Sequence, residues 1–205
     1  PCVPTIKAPA QVNPVLFSAY NPPLVPAGTL DGAKAGQVVA ALQPENAIVV
    51  EEAITNGFVY HLVTNNIRPF TMLTLTGGSI GQGPACATGA AIACPNRPVI
   101  NYQADGSAMY TVQSLWTQAR ENLNVTTLIC SNRSYDILNM EMTRSGNTSP
   151  GDNAKRMTDL TGLDWVKLGE AQGVASVSVN TCEALADAME KDLAAYGPHL
   201  IEMQI

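Results

Sequence analysis

Two oxygen-bearing side chains in this sequence stand where strand-like runs give way to helical ones. Asp105 lies in Gln103-Ala104-Asp105-Gly106-Ser107, and Asn132 lies 27 residues later in Ser131-Asn132-Arg133-Ser134. A carboxylate at such a point binds a hard cation through oxygen, and the N–H groups of Gly106 and Ser107 face a phosphate. Asn132 adds a neutral amide oxygen. One carboxylate, one amide oxygen and a loop carbonyl hold Mg²⁺ weakly until phosphate oxygens and water complete the octahedron. The chemistry this implies is a metal-bridged diphosphate clamp; the plainer reading of Asp105 is a helix cap. A third run, Gly77-Gly78-Ser79-Ile80-Gly81-Gln82-Gly83, lets backbone approach a ligand closely. The helix after it is expected to offer free N–H groups to an anion. As a dinucleotide fingerprint it fails, because position 86 is Cys. A tight helix-packing turn is its alternative reading.

Such a clamp needs elements that bring the two tips together. Apolar, β-branched runs at 47–50, 72–75, 99–103, 125–130, 174–179 and 200–205 predict strands. Helical patterns fall at 83–94, 108–122, 135–143, 164–172 and 182–195. Asp31 is placed to cap an earlier helix carrying Val38, Val39 and Leu42, stopped near Pro44. Strands apolar almost throughout are buried on both faces. The alternation therefore predicts an α/β three-layer sandwich, with a roughly six-stranded parallel sheet and helices on both faces. A right-handed crossover of one helix and one strand then sets Asp105 and Asn132 at neighbouring strand tips. Residues 144–155 are expected to form a mobile loop. In the 108–122 helix, Val112, Leu115, Trp116, Ala119 and Leu123 share one face, which makes Trp116 a core residue; Trp165 is expected to pack as well.

Composition narrows the classes. Among 205 residues only 14% are charged, against about 25% in an ordinary soluble domain, which predicts that large faces are covered by a partner. The net charge of −6 comes without a basic run and excludes nucleic-acid binding. The uncharged segments 8–30 and 69–96 are broken by proline and glycine, so no membrane-spanning helix is expected. Cys2, Cys86, Cys94, Cys130 and Cys182 are scattered without a C-x-x-C pair and read as buried, reduced thiols, pointing to the cytoplasm. Half of the 14 prolines fall within residues 1–26, and the sequence starts at Pro1. Residues 1–30 thus read as an extended Pro-rich linker from an upstream region, and residues 31–205 as one ligand-binding domain. Glu51 and Glu52 are adjacent strand residues whose side chains point to opposite faces, so a shared acid–base role is not expected. His61 and His199 read as structural.

The clamp resembles the diphosphate-binding motif of thiamine diphosphate enzymes, which runs from Gly-Asp-Gly to Asn-Asn nearly thirty residues later. Around it, GGSIGQGPACATGAAIACPNRPVINYQADGSAMYTVQSLWTQARENL is similar to the C-terminal, pyrophosphate-binding domain of the acetolactate synthase and benzoylformate decarboxylase group. Ala104 stands where the motif has its first Gly, and Ser131 where it has its first Asn; both departures spare the metal ligands. The resemblance implies Mg²⁺ held by Asp105, the Asn132 side chain and the Ser134 carbonyl. It implies thiamine diphosphate contacts from Thr55, Asn56, Gly78, Ile80, Gly106, Ser107 and Tyr135. In that scheme Gly78 offers its carbonyl to the aminopyrimidine, and Ile80 wedges the cofactor into a bent shape. Ile137 and Leu138 would border the pocket of a small 2-oxo acid. The activating glutamate of the family belongs to a pyrimidine-binding domain, usually of a partner subunit. No catalytic residue is therefore expected in this chain, and a homodimer or tetramer is implied. A benzoylformate-type decarboxylase domain, an NAD-dependent dehydrogenase fragment and a non-catalytic cofactor-binding module are the alternatives.

Overall fold

The computed structural model describes residues 19–205, so Cys2 and most of the proposed linker lie outside the described residues. Within the stretch expected as a linker, the Asn21 N–H donates to the Asn66 carbonyl and the Arg68 guanidinium lies over the Tyr20 ring, and the chain is tied again at Gly28–Leu30. There the Gly28 N–H donates to Glu183 and the Leu30 N–H to the Asn180 carbonyl. The first helix, α1 (Gly32–Leu42), is capped by Asp31, whose carboxylate accepts from the Lys34 N–H at 2.8 Å. Replacing Asp31 with Ala is expected to cost about 1 kcal/mol in a urea unfolding curve, with the slope unchanged.

Six parallel strands follow: β1 (Ile48–Glu52), β2 (Thr71–Thr74), β3 (Val99–Ala104), β4 (Val125–Ser131), β5 (Ala175–Val179) and β6 (His199–Gln204). Their order in the sheet is β2-β1-β3-β4-β6-β5, parallel throughout. The strands in the middle are buried along most of their length, polar residues such as Asn101, Gln103 and Thr127 included, whereas the edge strands β2 and β5 are partly exposed. All six expected strands are present, shifted at their ends by a residue or two.

Helices cover both faces. On one face α1, α2 (Phe58–Val63) and α9 (Cys182–Ala194) bury Val38, Tyr60, Leu185 and Met189 against Val49, Ile100, Leu128 and Ile201. On the other, α3 (Gln82–Ala93) packs Ala87 and Ala91 on Ile48, Val50 and Val99. Beside it, α5 (Ser114–Arg120) and α8 (Trp165–Ala171) place Leu115 and Trp165 over Ile129 and Leu200. Among the described residues no helix is long and apolar enough to cross a membrane.

Four local expectations change. The 108–122 helix is divided into α4 (Asp105–Ala108), a 3₁₀ turn (Met109–Thr111) and α5, because Thr111 turns aside to donate to the Gly81 carbonyl at 2.6 Å. Trp116 is 52% exposed under the Arg120 guanidinium, while Trp165 is 1% exposed. The segment expected as a loop at 144–155 ends in α7 (Asp152–Thr158), after α6 (Asp136–Arg144). Cys130 and Cys182 are buried, but Cys86 is exposed on α3.

Candidate functional site

The chain leaves β1 toward β2 on one side, then passes back over β1 to form β3 on the other side. This reversal opens a crevice beyond the carboxyl ends of β1 and β3, where open parallel sheets bind ligands. The loops after β1, β2, β3 and β4 converge there.

Because β3 and β4 pair in register from Val99↔Val125 to Ala104↔Cys130, the residues just past their tips are neighbours. Asp105 and Asn132 accordingly line one cavity. The Asp105 side chain belongs to a residue only 2% exposed. Its Oδ1 accepts from the Gly106 N–H at 2.8 Å and its Oδ2 from the Arg133 N–H at 2.7 Å. The second bond ties the two tips together directly. Burial pushes the Asp105 carboxyl up to about 6, more than these N–H groups pull it down. Asn132 Oδ1 accepts from the Ser134 N–H at 3.0 Å. The Gly106 N–H is thus taken by Asp105 itself, contrary to the expectation that it faces a phosphate.

The loop after β1 supplies Ile54 and Thr55 to the cavity, and the loop after β2 supplies Ile80. Gly106, Ser107, Ser134, Tyr135 and Ile137 complete the predicted residues that line it. Three others do not. Asn56 lies against α1, where a Cβ at Gly32 would come within 2.6 Å of its Oδ1, and its Nδ2 is buried without a partner. Gly78 is exposed at the turn, and Leu138 is 49% exposed on α6, outside the cavity wall.

Ile54, Ala104 and Asp136 line the cavity without having been expected to. Ile54 holds φ +53°, an unusual conformation for a β-branched residue, and Arg133 holds φ +57°. Nothing in the sequence marks either. Asp136, at the first turn of α6, carried a readable signal as an acidic residue close behind the Asn132 loop.

The glutamates separate as expected. Glu51 accepts from the Ala53 N–H at 2.9 Å and lies 2.9 Å from His61 Nε2 on α2. That pairing gives His61 a carboxylate partner the sequence reading had not supplied. Glu52 points to the opposite face and accepts from Gly81 and Gly83 at the start of α3. The N–H groups expected to be free for an anion are therefore occupied by the protein's own carboxylate. Gly81 takes φ +91°, and a Cβ there would meet Tyr110 Cβ at 2.4 Å, so only glycine fits this turn.

Residues 56–203 match the family model for the thiamine pyrophosphate enzyme C-terminal TPP-binding domain. The chain is 46% identical over 201 residues to a protein of Mycobacterium tuberculosis named for the acetolactate synthase large subunit, covering 97% of this chain and 39% of that one. It is 30% identical over 199 residues to the benzoylformate decarboxylase of Pseudomonas aeruginosa, covering 95% of this chain and 35% of that one. The thiamine diphosphate-dependent 4-hydroxybenzoylformate decarboxylase of Rhodococcus jostii superposes with a TM-score of 0.77 at 28% identity, covering 92% of this chain and 35% of that one. The chain thus spans less than two-fifths of the length of these relatives.

Proposed function

As the chain belongs to the thiamine pyrophosphate enzyme family through its C-terminal TPP-binding domain, we propose that it is the diphosphate-binding half of an acetolactate synthase-like enzyme acting on 2-oxo acids, with Mg²⁺ as the bridging ion. The observation that carries this reading is Asp105 and Asn132 lining one cavity at neighbouring strand tips.

The residues present fit a hard cation. Among the described residues Asp105 has no Lys, Arg or His ion-pair partner, only backbone N–H groups. A buried carboxylate without a counter-charge is costly, and a bound cation offsets that cost. The cavity lining offers a carboxylate at Asp105, an amide oxygen at Asn132 and a backbone carbonyl at Ser134, a donor set of oxygen alone. That is a Mg²⁺-type set completed by phosphate and water, not a zinc site.

In this reading Asp105, Asn132 Oδ1 and the Ser134 carbonyl hold the ion, and Ser107 and Thr55 border the phosphates. Ile80 brings an apolar side chain from the glycine loop to the cavity, and its own N–H donates to the Gly78 carbonyl at 3.0 Å, which keeps a second lone pair for the aminopyrimidine. Ile137 closes the cavity on the side of α6. Bound thiamine diphosphate supplies the electron sink that decarboxylation of a 2-oxo acid requires. A pyrimidine-binding domain or subunit completes the site, within a homodimer or tetramer.

Titration calorimetry with thiamine diphosphate tests the proposal. Binding is expected with Mg²⁺ and at least about tenfold weaker in EDTA, since the ion screens phosphate and carboxylate from each other. Equal affinity in EDTA would remove the bridging ion from the account.

A further inference from the structure

We infer that Glu52 is a positioning residue, its carboxylate holding the Gly77–Gly83 loop so that the diphosphate and pyrimidine ends of the cofactor cannot exchange places. The inference rests on the reading of the site as a thiamine diphosphate site.

Glu52 is the last residue of β1 and is buried. Its Oε1 accepts from the Gly81 N–H, and its Oε2 from the Gly83 N–H at 2.7 Å. Among the described residues no cationic side chain pairs with it. Beside it on the sheet, in register, stands Gln103, whose amide donates to Asn101 Oδ1 at 2.7 Å. The two side chains leave no space over them. A Cβ at Gly83 would fall 2.1 Å from Gln103 Nε2 and 2.5 Å from Glu52 Oε2. The start of α3 therefore sits directly on the carboxylate.

The start of a helix is where a phosphate would otherwise bind. Here the protein fills that place with its own anion, so a diphosphate is repelled from the glycine loop and left to the strand tips at Asp105 and Asn132. The Gly81 and Gly83 N–H groups are turned inward, and those of Ser79 and Ile80 are spent on the Thr76 and Gly78 carbonyls; the Gly78 carbonyl, with the Ile80 N–H as its one partner among the described residues, keeps a lone pair. A carbonyl suits an amino group, which the pyrimidine end of the cofactor carries and the diphosphate end lacks. Burial also raises the Glu52 carboxyl despite its two N–H partners, so the protein keeps this carboxylate at a cost.

Glu52→Gln provides the test on the full chain; Gly83→Ala, whose Cβ would press on Gln103 and Glu52 with the charge kept, is expected to speed exchange at the amides of positions 81 and 83 as well. In the ligand-free protein, hydrogen exchange of the Gly81 and Gly83 amides is expected to speed up about tenfold or more, since a charge-assisted partner is lost. By calorimetry, Mg²⁺–thiamine diphosphate is expected to bind about tenfold more weakly to the variant. Mg²⁺–pyrophosphate, which has no pyrimidine, is expected to bind as tightly as before or more tightly. Unchanged exchange at both amides overturns the inference, as does an equal loss of affinity for the two ligands, which marks a merely structural role. Failure of the unmodified chain to bind thiamine diphosphate counts instead against the proposed site, and the ligand-free exchange still decides whether Glu52 holds the loop.

Discussion

Replacing Asp105 with Asn is expected to weaken Mg²⁺-dependent thiamine diphosphate binding by more than about 100-fold. Even indirect partners of a metal are worth 10–100-fold in affinity, and Asp105 is the proposed direct ligand with the full charge. The substitution preserves shape and burial. It removes the negative charge that a cation would offset, and it sets an amide N–H₂ against either the Gly106 or the Arg133 N–H. The second contact matters as much as the first, because the bond to Arg133 locks the β4 tip beside the β3 tip. Calorimetry with Mg²⁺ and thiamine diphosphate reads the affinity, and circular dichroism confirms that the variant is folded. A folded Asp105→Asn protein binding within about threefold of the unmodified chain would contradict the clamp, since a lost charged ligand is worth far more.

The unassisted chain is expected to show no turnover of pyruvate or benzoylformate. Turnover is expected to appear, at least about 100-fold above background, once a second polypeptide supplies an acid–base group. The glutamates at the sheet ends are already engaged within the protein. Glu51 is held by Ala53 and His61, Glu52 by Gly81 and Gly83, and Glu202 by the Ser131 hydroxyl at 2.9 Å. None of them lines the cavity, whose carboxylates are Asp105 and Asp136. The measurement is carbon dioxide release by the chain alone, and by the chain with the portion of its 46%-identical mycobacterial relative that it does not cover. Turnover by the chain alone would show that it carries its own acid–base group. Silence in the combined sample, with cofactor bound, would favour a non-catalytic cofactor-binding module.

Much of this site was legible because its positions follow from sheet topology. A β-branched run, a helical pattern and another β-branched run fix the placement of Asp105 and Asn132 whatever the details between them. The 3₁₀ turn at Met109–Thr111 was not legible, since it exists to seat Tyr110 and Thr111 against Gly81, a contact across 30 residues. Helix α2 was missed because Phe-Val-Tyr-His-Leu-Val has strand-like composition, and only the burial of Tyr60 beneath α1 decides otherwise. Helix α7 is polar and largely exposed, so no apolar period announces it. Trp116 misled for the opposite reason. It lies on an apolar face by spacing, but its helix is short and turns that edge to solvent, where Arg120 stacks on the ring at 4.6 Å. The strained backbone at Ile54 and the hold of Glu52 on the glycine loop are properties of the assembled crevice.

The reversal of strand order between β1 and β3 has a bearing on how the molecule comes into being. Ile48 pairs with Val99 across a long intervening excursion that contains α2, β2 and α3, and Thr126 pairs with His199 across a longer one. Closing such distant partners is entropically slow, so sheet completion is a late event in folding. A nascent chain holds no rudimentary version of the cavity until the segment around Tyr135 has left the ribosome and β3 has found its place between β1 and β4. The cavity is thus complete before β5 and β6 have joined the sheet, since every residue that lines it falls between Ile54 and Ile137.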